Sequence, residues 1–158
     1  MLTQTIIARR PWEDRWQQPD PELLLNVFDT HPRKVLTTLM ENMEAFEGIS
    51  KVLQWHGESW KWCWQFNLRK NGSSDDILVG YLVPNPQSPL ICITLDDQMV
   101  SRLPMRRLNR YIRDGIRHAK CAVKVHWATW TPPAMTEAEQ LLDLVKRKHK
   151  LLTQPQKK

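Results

Sequence analysis

The chain of 158 residues has the composition of an ordinary globular protein, with 41% hydrophobic and 25% charged residues. This excludes collagen-like and wholly disordered classes, and the length predicts a single domain with one hydrophobic core. The formal net charge of +6 is uneven, because residues 1–79 carry 9 Lys/Arg against 11 Asp/Glu and residues 80–158 carry 14 against 6. No apolar run is long enough for a signal peptide or a bilayer span, so we expect a cytoplasmic protein without a membrane partner.

The cysteines predict neither a disulfide framework nor a paired-cysteine zinc site. Cys63, Cys92 and Cys121 are odd in number, widely spaced and set within apolar patterns. We therefore expect reduced core residues and no disulfide-linked partner. We predict no cofactor, and we assign no metal ligand from the cysteines.

The first part of the chain predicts an irregular arm followed by helices. Residues 1–19 show no periodicity, and Trp12 and Trp16 would be costly to leave in water, so we expect the arm to dock on the domain. Asp20 is placed to cap a short helix. Apolar residues at three- and four-residue spacing then predict a helix over Pro32–Glu47.

After Gly48 the period changes to two, which is typical of strands. The run Trp60–Leu68 alternates aromatic and mostly polar residues and predicts a strand with one aromatic face. Two further strands are predicted at Ile77–Val83 and Leu90–Leu95, with a weaker one at Lys51–Trp55 before them. Short turns between these strands favour an antiparallel meander.

The basic half of the chain begins with a predicted amphipathic helix over Leu103–Lys120. A strand over Cys121–Trp130 follows, and the pair Thr136 and Glu139 predicts a capping box for a last helix ending near Leu151. Together the elements predict an α+β domain over residues 20–152, with an antiparallel sheet of four or five strands packed by about three helices. Residues 153–158 are expected to fray.

The pattern resembles the YdhG-like superfamily of small bacterial domains. The resemblance rests on the aromatic strand within Trp60–Leu95, on Tyr81–Pro84, on Ile112–Ile116, on the strand ending at Trp127 and on Leu141–Lys148. It covers roughly residues 32–151, leaves the arm unmatched and implies a fold much more than an activity. Some members of that superfamily are described as frataxin-like iron chaperones, which implies iron or other metal binding as one alternative.

Catalysis is not indicated by any motif. The sequence has no phosphate-binding glycine loop, no nucleophile elbow and no His-Glu-x-x-His, so we assign no catalytic residue. Cys63 or Cys121 could act with His56 or His126 as nucleophile and base if the fold brought them together in a cleft. A cysteine in an apolar strand is more often a core residue.

Carboxylates are the ligands that an iron site would use. Glu41, Glu44 and Glu47 share a helical spacing, and Asp75–Asp76 and Asp96–Asp97 are predicted in loops. We interpret the glutamates as a solvated helix face. The basic net charge also departs from the acidic surface that would attract iron.

A row of arginines on the predicted Leu103–Lys120 helix is the sharpest feature of the sequence. Like charges four residues apart destabilise a helix slightly, so the row either meets acids of the first half of the chain or binds an anionic partner such as nucleic acid. The polyanion-binding candidates are Arg102, Arg106, Arg110, Arg113 and Arg117.

The second candidate surface is aromatic. Trp60, Trp62, Trp64 and Trp127 could line a pocket for a small ligand or stack the bases of single-stranded nucleic acid, although the regular alternation of the first three favours a core. From the sequence we interpret the protein as a non-enzymatic binding or interaction domain.

Overall fold

Six strands form one antiparallel sheet in the computed structural model, which describes residues 10–70, 72 and 74–154. The α+β prediction is confirmed, and the sheet has more strands than the four or five predicted. The first four strands are a meander, and β6 pairs with β4 on one side and with β5 on the other. The strands in spatial order are β1 (Ile49–Trp55), β2 (Trp62–Arg69), β3 (Asp76–Val83), β4 (Leu90–Asp96), β6 (Val125–Trp130) and β5 (Lys120–Ala122).

The additional strand arises because the predicted strand Cys121–Trp130 is in fact a hairpin. Its two-residue turn is Val123–Lys124, and both residues have positive φ, 49° and 62°. Such a primed turn is normally signalled by Asn-Gly or Asp-Gly, and a β-branched valine is unfavourable there. The Asp97 N–H donates to the Lys124 carbonyl at 3.2 Å and ties the turn to the end of β4.

The described residues form six α-helices, against about three predicted. They also contain two short 3-10 helices, Pro11–Glu13 and Met105–Arg107. The cap at Asp20 is confirmed, since its carboxylate accepts from the Glu22 N–H at 3.0 Å. The predicted capping box is wrong, because the last helix begins one residue before Thr136 and its N-cap, Ala134, makes no side-chain cap bond. The helices are α1 (Pro21–Leu25), α2 (Thr30–Glu44), α3 (Gly57–Trp60), α4 (Asp97–Arg102), α5 (Arg110–Arg117) and α6 (Met135–Thr153).

The prediction of one continuous helix over Leu103–Lys120 is also wrong, since α5 is the only α-helix within that range. Leu103 and Leu108 both take extended backbone angles, and Asn109 is the N-cap residue of α5 without a side-chain capping bond. The two leucines are buried, which a chain turning between α4 and α5 allows. Burying both leucines offsets the helical bonds lost at the break.

Helices α2, α5 and α6 pack on one face of the sheet and build the main core there. The cross-strand pairs Trp64–Leu82, Leu82–Ile91 and Ile91–Trp130 put four large side chains in a row on that face. Helices α2 and α6 pack on each other, and α5 packs on β6. The Trp130 indole N–H donates to the Tyr111 carbonyl at 3.1 Å and satisfies its donor inside the core. No helix of the described residues is long and apolar enough to cross a bilayer.

A buried lysine closes a gap in the sheet. The register of β2 and β3 shifts between Phe66 and Asn67, and the paired residues of β3 and β4 end at Gly80 and Ile93. The Lys148 amine of α6 enters beyond this point and donates to the carbonyls of Leu78 and Val79, both at 3.0 Å. It also donates to the hydroxyl of Thr94 at 2.9 Å and to the Thr94 carbonyl. The lysine is thereby 2% exposed yet satisfied.

The N-terminal arm is described from residue 10 onward, so the predictions for residues 1–9 lie outside the described residues. Residues 155–158 of the predicted frayed tail also lie outside them. Trp12 is buried, and its indole N–H donates to the Trp62 carbonyl at 2.9 Å. In return the Trp62 indole donates to the Asp14 carbonyl at 2.7 Å. Trp16 remains 81% exposed, which corrects the expectation that both tryptophans dock.

Candidate functional site

The five predicted arginines do not lie on one helix. Arg102 ends α4, Arg106 lies in the 3-10 turn with Arg107, and the other three belong to α5. Residues 102–117 nevertheless contain six arginines against one acid, Asp114. The chain therefore concentrates positive charge over a bent segment instead of a straight row.

Most of these arginines are not paired with acids of the described chain. Arg110 lies 3.5 Å from Asp114 within α5, but its side chain is 87% exposed, and such a surface pair contributes little. Arg113 is half-buried and donates to the Met105 carbonyl at 3.5 Å. We call the exposed set, Arg102, Arg106, Arg107, Arg110 and Arg117, the arginine surface.

The end of α6 extends this charge. A cavity of about 230 Å³ is lined by Arg102, Arg147 and Lys150, among others. A second cavity of about 360 Å³ is also lined by Arg102 and adds Lys70. Arg102 and Lys150 lie near the C-termini of α4 and α6, where the helix dipole favours cations, whereas Arg147 pairs with Asp143 at 3.1 Å and Asp96 also lines the larger cavity. The arginine surface is thus continuous with a cationic groove beside α4.

The predicted aromatic pocket residues separate onto different parts of the fold. Trp62 and Trp64 are buried in the core, as their alternation in β2 favoured. Trp60 of α3 and Trp127 of β6 are half-buried, 6.4 Å apart between ring centroids. Four tryptophans therefore do not line one pocket.

Tyr81 joins Trp60 and Trp127 in a cluster on the sheet face that carries Gln65 and Cys92. Its ring stacks on Trp127 at 6.1 Å and meets Trp60 edge-on at 5.3 Å. Sequence reasoning missed Tyr81, although the alternation of β3 places it opposite Gln65 and Cys92 on this face. Because the three rings take one another as partners, the cluster is a small second core more than an open stacking platform.

Two of the three thiols are chemically inert. Burial raises the pKa of Cys63 and that of Cys92 to about 12, so neither is a thiolate near neutral pH. All three cysteines are free, and only Cys121 is exposed. Its sulfur lies 4.0 Å from His126 Nε2, whereas His56 faces Gln65.

The predicted glutamate ligands do not assemble into a site, whereas the predicted loop carboxylate Asp97 lies beside Cys121 and His126. Glu44 pairs with Lys51 at 3.0 Å, and within the described ranges Glu41, Glu44 and Glu47 form no group of converging ligand atoms. The glutamates of α2 are exposed, as expected for a solvated helix face.

Comparison with known proteins adds no family to this description. No protein-family model matches the chain, and a search of curated proteins finds no significant similarity.

Proposed function

We propose that this protein is a nucleic-acid-binding domain that acts through the arginine surface. The main observation behind this proposal is that four of the five arginines have no ion pair with any described residue. Arg110 has one weak pair. Exposed guanidinium groups suit phosphates because their planar donor forks bind phosphate oxygens bidentately.

The placement of the positive charges supports binding to a phosphate backbone more than recognition of a small anion. The five arginines lie on three consecutive elements, and Lys150 of α6 adds a further cation beside Arg147, which itself pairs with Asp143 at 3.1 Å. A small anion would need a closed cradle, whereas a polymer of phosphates contacts cations spread over a surface. We therefore place a nucleic-acid backbone across α4, the Met105–Arg107 turn and α5.

The experiment is a salt series of binding to labelled duplex and single-stranded DNA by fluorescence anisotropy. Five phosphate contacts predict a slope of log K against log salt of about −4.5 for a duplex and about −3.5 for a single strand. The variant Arg106→Glu/Arg117→Glu removes two contacts and should flatten the duplex slope by about 1.8.

A matched control separates the surface from the net charge. The variant Arg15→Glu/Lys34→Glu changes two exposed cations of the acidic half and lowers the net charge by the same amount. It should keep the slope of the unmodified protein. Equal losses in the two variants, or no binding at low salt, would contradict the proposal.

A further inference from the structure

Three metal-ligating side chains converge where the β5–β6 hairpin meets the start of α4. The carboxylate of Asp97 lies 2.7 Å from His126 Nε2, and the Cys121 sulfur lies 4.0 Å from the same nitrogen. One ligand atom from each residue lies within 4.8 Å of the other two. Carboxylate, imidazole and thiol thus face one small volume.

The backbone fixes this convergence. Cys121 and His126 are direct cross-strand partners in the hairpin, and His126 also pairs with Leu95 in β4. Asp97 follows β4 by one residue, and its N–H is bonded to the Lys124 carbonyl of the turn. Strand pairing on two sides therefore holds the imidazole between the other two groups.

We propose that Asp97, Cys121 and His126 bind a divalent cation of the zinc class, with the fourth position open to water. A thiolate, an imidazole and a carboxylate together suit a borderline-soft ion, while magnesium and calcium prefer oxygen ligands alone. Three protein ligands with one open position are the arrangement of zinc sites that keep a bound water.

The distances need only small adjustments. In a tetrahedral zinc site the ligand atoms lie about 3.3 Å apart for N···O and about 3.5 Å for N···S. The Nε2–Oδ1 distance of 2.7 Å therefore opens by about 0.6 Å, and the Nε2–Sγ distance of 4.0 Å closes by about 0.5 Å. Asp97 and Cys121 are exposed, so their side chains have room to rotate.

The same geometry disfavours a cysteine nucleophile. In a nucleophile–base–acid arrangement the acid orients one ring nitrogen while the other faces the thiol. Here Nε2 faces both the Asp97 carboxylate and the Cys121 sulfur. Two groups that converge on one nitrogen suit a shared ion better than a proton relay.

Cobalt and zinc test the proposal directly in the untagged protein. Titration with Co²⁺ should give one equivalent of binding and a thiolate-to-cobalt charge-transfer band, which Zn²⁺ then displaces. Zinc should also protect Cys121 from a thiol reagent, a clear signal because Cys63 and Cys92 are buried. The Cys121→Ser variant should lose the band, and His126→Gln should weaken binding by at least about tenfold.

The control variant is His118→Gln, which changes a nearby histidine that is not one of the three proposed ligands. His118 is exposed and contacts the Asp114 carbonyl at 2.8 Å. It should bind zinc like the unmodified protein. Circular dichroism of each variant checks folding, and Asp97→Asn tests the third ligand at an exposed position. An absent charge-transfer band, or zinc affinity unchanged in both Cys121→Ser and His126→Gln, would overturn the proposal.

Discussion

Lys148 should make the stability of this protein depend on pH in a way that one substitution removes. Burial lowers the pKa of its amine from 10.5 to about 7, while Cys92 and Asp96 act in the opposite direction. Between these values the unfolded chain binds a proton that the folded chain does not. The free energy of unfolding therefore rises with pH from about pH 7, and it is insensitive to this group at lower pH.

The expected rise can be worked out from the shift. For one group with pKa values of about 7 folded and 10.5 unfolded, the free energy of unfolding increases by about 1.6 kcal/mol between about pH 7 and pH 8.5. Above about pH 9 the buried thiols of Cys63 and Cys92 act in the opposite direction, because they ionise only after unfolding. Between pH 7 and 8.5 the lysine is the larger effect, and a comparison with a Lys148 variant isolates it because the thiols are present in both proteins.

The measurement is urea denaturation of the unmodified protein and of Lys148→Met at several pH values in this window. Methionine has a similar length and no amine, so the variant should show a nearly flat profile. Its overall stability also changes, since the carbonyls of Leu78, Val79 and Thr94 lose their donor, but that offset is common to every pH. Histidine titration affects both proteins equally and cancels when their unfolding free energies are subtracted. An equal dependence of the unfolding free energy on pH in the two proteins would refute the reasoning.

Two further predictions concern packing. Gly115→Ala should destabilise the protein by about 1–3 kcal/mol despite the higher helix propensity of alanine, because a Cβ there would overlap the Trp130 ring. Thermal denaturation measures the change, and an unchanged midpoint would contradict the packing of α5. In urea denaturation Trp12→Ala should cost about 3–5 kcal/mol, since Trp12 is buried and bonded to Trp62. The matched Trp16→Ala, at an exposed position, should stay within about 0.5 kcal/mol of the unmodified protein, and similar losses in both would refute the docking of Trp12.

The sheet could be predicted from the sequence where its signals are local. Alternation in Trp60–Leu68 and the turns after Arg69 and Val83 located the meander, because side-chain period and turn residues follow directly from the backbone. The β5–β6 hairpin could not be predicted, since Val123–Lys124 carries no residue that favours positive φ. Its turn is held by the bond from Asp97, a contact that forms only in the folded chain.

The site residues were predicted by type, and their arrangement was not. The arginines were found because charge is visible in the sequence, but the spacing of Leu108, Ile112 and Ile116 favoured one helix through the break at Leu108. Periodicity records which residues are apolar and not whether the chain bends to bury them. The contacts of Tyr81 with Trp127 and of Asp97 with His126 were missed for a similar reason. Each pair comes together only because β6 lies beside β4, and the sequence does not show that strand order.

Both proposed sites lie where regular structure is interrupted. The arginine surface spans the bend between α4 and α5, and this bend sets Arg106 and Arg107 apart from the axis of α5. The metal ligands lie around a two-residue turn whose positive φ angles are costly for valine and lysine. An ion shared by Asp97, Cys121 and His126 would offset that cost by joining the turn to α4. Zinc should therefore stabilise the hairpin more than the meander, and hydrogen exchange of the Val125 and Trp127 amides would show the difference.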